Sequence, residues 1–148
     1  MILNIEQYKS TKDLLTRNNI LKSAVLSPPE NGKEFFLAAF KKDRYLDMKL
    51  TAVRGYAEYA TEEEVNKLMS KMLELLKKRA VNTKNDYQEY EPMRSPFLMP
   101  YLLKKYDYQC FRDFSEQLEK QYNAMDDEWK GIFTLDEEGK LVDLRRMI

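Results

Sequence analysis

The sequence predicts a mainly α-helical protein built from antiparallel helical hairpins, with a small β-hairpin near its C-terminus. Two adjacent helical patterns between Arg44 and Ala80 meet across a clear joint, and a third strong helical pattern follows at 111–125. The segment 132–144 changes to a strand-like pattern around a glycine-containing turn. The 148 residues fit a single domain, 1–148, that can bury a core without disulfides or metal ions.

Residues 5–29 predict helical structure with one interruption. A first helix is expected over 5–17, and the pair Asn18-Asn19 is expected to end it. Helical spacing then resumes and stops before the two prolines at 28–29, because proline lacks a backbone donor and clashes with the preceding turn.

The run 35–40 is apolar on every side, so periodicity does not decide between a helix and a strand. Its centre, Leu37-Ala38-Ala39, has low β propensity, and the following Lys41-Lys42 suits the carbonyl end of a helix. A short buried helix is therefore favoured over 33–41, and a strand is the alternative.

The helix predicted from Arg44 onward carries apolar residues on most of its surface. They form two adjacent rows, which are Leu46, Leu50, Val53, Ala57 and Ala60, and Tyr45, Met48, Ala52, Tyr56 and Tyr59. A narrow polar stripe remains, consisting of Asp47, Thr51, Arg54 and Glu58. Burial on that scale indicates a central helix, in which Arg54 can pair with Glu58 one turn on.

The joint after this helix has the pattern of a capping box. Thr61 can accept from the backbone N–H of Glu64, while the Glu64 side chain accepts from the N–H of Thr61. The helix that follows has one apolar face, made of Val65, Leu68, Met69, Met72, Leu75 and Leu76. Its basic last turn, 77–79, suits the carbonyl end, so the two helices predict an antiparallel hairpin.

The segment 82–100 is predicted to be a proline-rich loop. A short helix at 101–106 follows, and then a longer one with an apolar repeat of Phe111, Phe114, Leu118, Tyr122 and Met125. At the end, two strand-like runs within 132–144 flank a turn containing Gly139, which predicts a β-hairpin.

Charge and composition exclude several classes of partner and location. The 25 basic and 25 acidic residues cancel, so the net charge does not attract the chain to nucleic acid or to an anionic membrane. Cys110 is the single cysteine, which rules out an internal disulfide. No pattern of a signal peptide or a membrane-spanning helix occurs, so a cytoplasmic location is expected.

The residues that usually carry catalysis or hold metal ions are missing or isolated. The sequence has no histidine, which removes the commonest general base and the commonest metal ligand. Its isolated glycines form no phosphate-binding loop, and its acidic clusters lack the spacing of a calcium site. No catalytic residue, cofactor or metal site is therefore expected.

Residues 53–60 (Val-Arg-Gly-Tyr-Ala-Glu-Tyr-Ala) and 64–69 (Glu-Val-Asn-Lys-Leu-Met) resemble the second half of one HEAT-type repeat and the opening of the next. The resemblance implies a curved stack of antiparallel helices whose concave face binds a partner. Gly55 stands where such a repeat carries a better helix former, and no period of about 40 residues recurs elsewhere. An irregular helical bundle is the alternative architecture.

The predicted partner-binding site lies in the proline-rich loop. Its residues combine large amphipathic side chains with charge and are Tyr87, Tyr90, Glu91, Met93 and Arg94. Tyrosine and arginine dominate interface hot spots because they bring large contact area together with a polar group. The alternative is that these tyrosines fasten the loop onto the helices.

The sequence therefore predicts a non-catalytic cytoplasmic module that binds another protein, and neither nucleic acid nor a membrane. A small, neutral helical protein of this kind suits an immunity or antitoxin-like role, although no residue selects that role. The alternative function is a histidine-free enzyme that uses Asp47, Arg54 and Glu58 of the polar stripe together with Arg94.

Overall fold

The computed structural model describes residues 1–82, 90–127, 133–135 and 141–143, and this part of the chain is mainly helical, as predicted. The helices are α1 (Ile5–Ser10), α2 (Leu14–Leu26), α3 (Gly32–Lys42), α4 (Leu46–Ala57), α5 (Glu62–Lys77), α6 (Glu91–Arg94), α7 (Met99–Lys105) and α8 (Gln109–Ala124). Among these described helices, none combines the length and the apolar content that a membrane crossing needs.

The contacts within the chain group it into two compact units, Met1–Leu68 and Met69–Ile148. The division falls inside α5. A single domain can contain two such units, so one domain over 1–148 stays a prediction.

The ambiguous segment 33–41 is helical, which confirms the preference for a short buried helix. One side of α3 is buried and presents Phe35, Phe36, Ala39 and Phe40 to the core. The ring of Phe35 packs edge-on against Tyr8 of α1, with 5.1 Å between the ring centroids. Lys41 and Lys42 end the helix, where cations are favoured by the helix dipole.

Helix α4 is the central helix of the first unit, as predicted, because ten of its 12 residues are buried. It packs against both α2 and α3. Burial includes Lys49, whose ammonium donates to the Phe40 carbonyl oxygen and lies 4.3 Å from the centroid of the Phe40 ring. The acceptor and the aromatic face together offset the cost of placing this cation in the interior.

The predicted boundary between the first two helices is wrong, because Asn18-Asn19 lies inside α2. Helix α1 ends earlier, where the Thr11 hydroxyl donates back to the Gln7 carbonyl oxygen at 2.7 Å. Helix α2 begins where the Asp13 carboxylate accepts from the Thr16 N–H at 3.2 Å. Aspartate is a preferred N-cap, and this cap outweighs the modest helix propensity of the asparagine pair.

The joint before α5 is the predicted capping box. The Thr61 N–H donates to Glu64 Oε1 at 3.0 Å, and the Glu64 N–H donates to Thr61 Oγ1 at 3.2 Å. The Glu64 carboxylate also accepts from Lys33 Nζ of α3 at 3.1 Å. The cap therefore ties the start of α5 to α3 as well as ordering its own first turn.

In the second unit, one face of α8 is buried, as the apolar repeat predicts. Its buried residues are Phe111, Phe114 and Leu118. Part of the predicted loop at 82–100 is the short helix α6. Pro100 lies in the first turn of α7, where the missing N–H of proline has no helical partner to lose.

Two short strands, β1 (Phe133–Leu135) and β2 (Leu141–Asp143), pair in antiparallel register, with Thr134 opposite Val142. The residues between them, 136–140, lie outside the described part of the chain. The β-hairpin over 132–144 therefore stays a prediction.

Candidate functional site

The residues before α1 are fastened to the start of α3. The Asn31 side chain accepts from the Leu3 N–H at 2.9 Å and donates to the Leu3 carbonyl oxygen at 2.9 Å. The Glu30 N–H donates to the Met1 carbonyl oxygen at 2.7 Å. These bonds satisfy backbone groups of the N-terminal segment and fix its position in the first unit.

Large apolar side chains are exposed on this segment and on α2. Five of the six exposed large apolar residues in the described chain belong to them, namely Met1 (68%), Ile2 (70%), Leu14 (39%), Leu15 (65%) and Leu26 (70%). We call these five residues the apolar surface. Leu15 and Leu26 are separated by about three helical turns, so they lie on the same side of α2. Single exposed apolar residues are ordinary, whereas a contiguous exposed patch marks an interaction site, and Leu15 and Leu26 share one side of α2.

A cavity of about 480 Å³ lies between the N-terminal segment and α2. Its lining is Met1, Leu3, Thr16, Asn19, Ile20, Ser23, Ala24 and Ser27. No lining side chain is charged, and the polar ones are neutral hydroxyls and an amide. A volume within about 300–1,000 Å³ is typical of ligand pockets. The cavity can therefore accept apolar side chains from a partner without forming an ion pair.

A buried polar cluster of Tyr8, Arg17 and Asp43 joins α1, α2 and the end of α3. The Asp43 carboxylate accepts from the Tyr8 hydroxyl at Oδ2 and from Arg17 Nε at Oδ1, the latter at 2.6 Å. Tyr8 and Asp43 are each only 1% exposed, so a substrate does not reach them. Burial, together with the hydrogen bond to Asp43, raises the pKa of the Tyr8 phenol far above its usual range and keeps it protonated. The cluster therefore links α1, α2 and the end of α3, and a substrate cannot reach it.

Sequence reasoning missed this cluster, although Asp43 carries one signal of it. Asp43 follows Lys41-Lys42 at the carbonyl end of α3, where the helix dipole disfavours a carboxylate. A carboxylate in that place indicates a cationic or hydrogen-bond-donating partner from elsewhere in the chain. The partners lie 26 and 35 residues away, and no local spacing rule selects them.

The predicted partner-binding residues lie only partly within the described chain. Tyr90 is 1% exposed, its hydroxyl accepts from Gln121 Nε2 at 3.3 Å, and its ring centroid lies 6.1 Å from that of Tyr122. Tyr90 therefore packs against α8 within the second unit. Met93 is half-buried. Tyr87 and the side chains of Glu91 and Arg94 lie outside the described residues, so the site as a whole stays a prediction.

The polar stripe lies along one side of α4, as its spacing requires. Asp47 is half-buried, and this burial raises the pKa of its carboxyl above the usual value. Arg54 is half-buried, and Glu58 is exposed at the C-terminal end of the helix. The structure therefore brings these three residues onto one helix face, and the catalytic role suggested for them stays a hypothesis.

Comparison with known proteins adds no assignment to these residues. No protein-family model, curated protein or solved structure matches the chain. The likeness of 53–69 to HEAT repeats therefore remains a proposal, and function is inferred from the side chains themselves.

Proposed function

We propose that this protein is a non-catalytic protein–protein interaction module, and that it binds its partner through the apolar surface. One observation carries this proposal, namely that five of the six exposed large apolar side chains in the described chain lie on the N-terminal segment and α2, beside a cavity whose lining side chains are uncharged. Burial of one leucine side chain by a partner contributes about 1.5–3 kcal/mol. Several such side chains on adjacent elements are enough to make a specific contact favourable.

The form of the surface favours an extended apolar partner element over a small polar ligand. Leu15 and Leu26 are spaced along α2, so a partner helix lying beside it can contact both. The cavity offers neutral hydrogen-bonding groups, among them Ser23 and Asn19, to the rim of such a contact. The lining side chains offer no complementary charge to a small charged substrate.

The chemistry of the chain supports a binding role over an enzymatic one. The sequence contains no histidine, and the buried Tyr8, Arg17 and Asp43 side chains bond to one another. In this proposal the helices form a HEAT-like stack or an irregular bundle ending in a β-hairpin, and the protein acts in the cytoplasm, in an immunity or antitoxin-like role. The raised pKa of Asp47 supports the alternative, a histidine-free enzyme that uses the polar stripe.

The double variant Leu15→Glu/Leu26→Glu tests the proposed function. Both residues are exposed, so we expect folding to be retained while partner capture from a lysate of the source organism is lost. Leu103→Glu is the matched control, because Leu103 is an exposed leucine of α7 outside the apolar surface. Equal capture of the same partner by the double variant and the control would overturn the assignment.

A further inference from the structure

A second groove lies between α1 and α3, on residues that the apolar surface does not include. Its volume is about 370 Å³, and its lining is Lys9, Glu34, Leu37, Ala38, Lys41 and Lys42. We call it the α1–α3 groove. Three of its lining residues are lysines and one is a glutamate, although the chain as a whole has equal numbers of basic and acidic residues. Positive charge is therefore concentrated locally.

The floor and the rim of this groove differ in character. Leu37 and Ala38 are half-buried and supply an apolar floor, whereas Lys41 and Lys42 are exposed. The helix dipole favours all three lysines, since Lys41 and Lys42 lie in the last turn of α3 and Lys9 in the last turn of α1. The packing of α1 against α3 brings them together around one apolar floor.

The ion pair of Lys9 leaves its ammonium available to a partner. Lys9 Nζ lies 3.8 Å from Glu6 Oε1, and the Glu6 side chain is 86% exposed. An exposed pair of this kind contributes little stability and exchanges readily for another carboxylate. A partner carboxylate can therefore replace Glu6 without disturbing the fold.

We propose that the α1–α3 groove binds an acidic peptide segment of a partner protein, with partner carboxylates on Lys9, Lys41 and Lys42 and an apolar partner side chain on Leu37. This inference goes beyond the proposed function, because it assigns a separate surface with a different chemistry. An acidic peptide fits better than a nucleic acid, because the apolar floor matches an alkyl side chain that a phosphate backbone lacks.

The probe is a short synthetic peptide that contains two leucines, each flanked by pairs of glutamates, and it is titrated with the full chain while fluorescence anisotropy is measured. The control peptide has glutamine in place of every glutamate and keeps both leucines. We expect saturable binding of the acidic peptide that weakens with added salt, because salt screens the attraction between exposed charges and shortens the Debye length, which is about 8 Å at physiological ionic strength. Equal binding of the glutamine peptide would overturn the proposal.

Charge-reversal variants locate the site. Lys41→Glu/Lys42→Glu should weaken peptide binding about tenfold or more, since it replaces attraction by repulsion at two positions. Lys77→Glu/Lys78→Glu is the matched control, because these consecutive exposed lysines also lie at the C-terminal end of a helix. An equal loss in the control would show attraction to helix ends in general and would overturn the groove assignment.

Lys9→Glu tests whether the binding site is a groove formed by α1 and α3 or a patch on α3 alone. Lys9 lies on α1, so the proposal requires this single change also to weaken binding of the acidic peptide. Unchanged affinity, or tighter binding of a single-stranded oligonucleotide with the same dependence on the lysines, would contradict the peptide site. Leu15→Glu/Leu26→Glu should leave peptide binding intact, so this proposal and the proposed function can fail separately.

Discussion

Gly55 of α4 lies directly against the aromatic ring of Phe36 of α3. A Cβ atom placed on Gly55 would come within 2.3 Å of Phe36 Cε1, closer than any real contact. Gly32, at the start of α3, and Tyr59, just beyond the end of α4, repeat the relationship one turn away, with 2.2 Å between the added Cβ and Tyr59 Cζ. The two chain segments therefore pack closely, because each has a glycine where an aromatic ring of the other fits.

This contact predicts that Gly55→Ala destabilises the protein, although alanine is the better helix former by about 1 kcal/mol. Forcing a methyl group against Phe36 should reduce the free energy of unfolding by about 1–3 kcal/mol, as overpacking does in other cores. Urea denaturation measures this change. Ser70→Ala, at an exposed position of α5, is the control and should have little effect or a small stabilising one.

A change at Phe36, the other residue of this contact, tests the same prediction more stringently. Phe36→Leu removes ring atoms next to Gly55, so the double variant Gly55→Ala/Phe36→Leu should be more stable than the sum of the two single changes implies. Strictly additive effects, or a gain in stability from Gly55→Ala alone, would show that the contact does not limit the packing.

The buried cluster predicts a large effect of a small change. Asp43→Asn preserves shape but leaves the Arg17 guanidinium, 12% exposed, without its carboxylate. Removal of one partner from a buried pair costs about 3–5 kcal/mol. The control is Asp107→Asn, which removes a pair with the exposed Arg112 and should cost at most about 1 kcal/mol. Similar losses in both variants would contradict a structural role for the cluster.

The capping box predicts a pH dependence of stability. The hydrogen bond from the Thr61 N–H, assisted by Lys33, lowers the pKa of Glu64 from 4.5 to about 2. Because the folded-state pKa is depressed, this contribution to stability is present above pH 4.5 and is lost as the pH falls toward 2. Glu64→Gln keeps an oxygen acceptor for the cap but does not titrate.

Two measurements check this behaviour. An NMR titration of the Glu64 side chain should give a pKa well below 4.5, and denaturation curves should show less loss of stability between pH 4.5 and pH 2 in Glu64→Gln than in the unmodified protein. A Glu64 pKa at or above the ordinary value would mean that the cap and the lysine contact are absent in solution.

Tyr90 should behave as a core residue in stability measurements. Tyr90→Phe keeps the ring and removes the hydrogen bond with Gln121, which should cost about 1 kcal/mol. Tyr90→Ala also removes the ring beside Tyr122 and should cost about 3–5 kcal/mol, as other aromatic truncations do. Thermal and urea denaturation distinguish the two variants. Unchanged stability of Tyr90→Ala would contradict a core role for Tyr90 and would make it a candidate for partner contact again.

The features predicted correctly from the sequence depend on residues that are close together along the chain. Thr61 and Glu64 are one turn apart, so the capping box follows from local geometry alone. The apolar rows of α4 predicted its burial in the same way, since a helix that is apolar on most sides has to be covered. Lys41-Lys42 correctly favoured a helix over a strand in α3.

The features that sequence reasoning missed depend on tertiary contacts. Nothing near Gly55 indicates that Phe36 occupies the space beside it. The apolar residues of α2 are distributed around the helix, so its pattern does not reveal that Leu21 is buried whereas Leu15 and Leu26 are exposed. The apolar surface becomes visible only when the packing of α2 is known.

Site-specific photo-crosslinking at Leu15 tests the central claim most directly. A photoreactive phenylalanine analogue at this exposed position, activated in cells of the source organism, reports whether the apolar surface is covered by a protein. We predict a defined crosslinked species at position 15 that is absent when the analogue replaces Leu103, and that disappears when Leu26→Glu is added. The absence of any crosslinked protein at position 15, or identical products at both positions, would contradict the proposed interaction module.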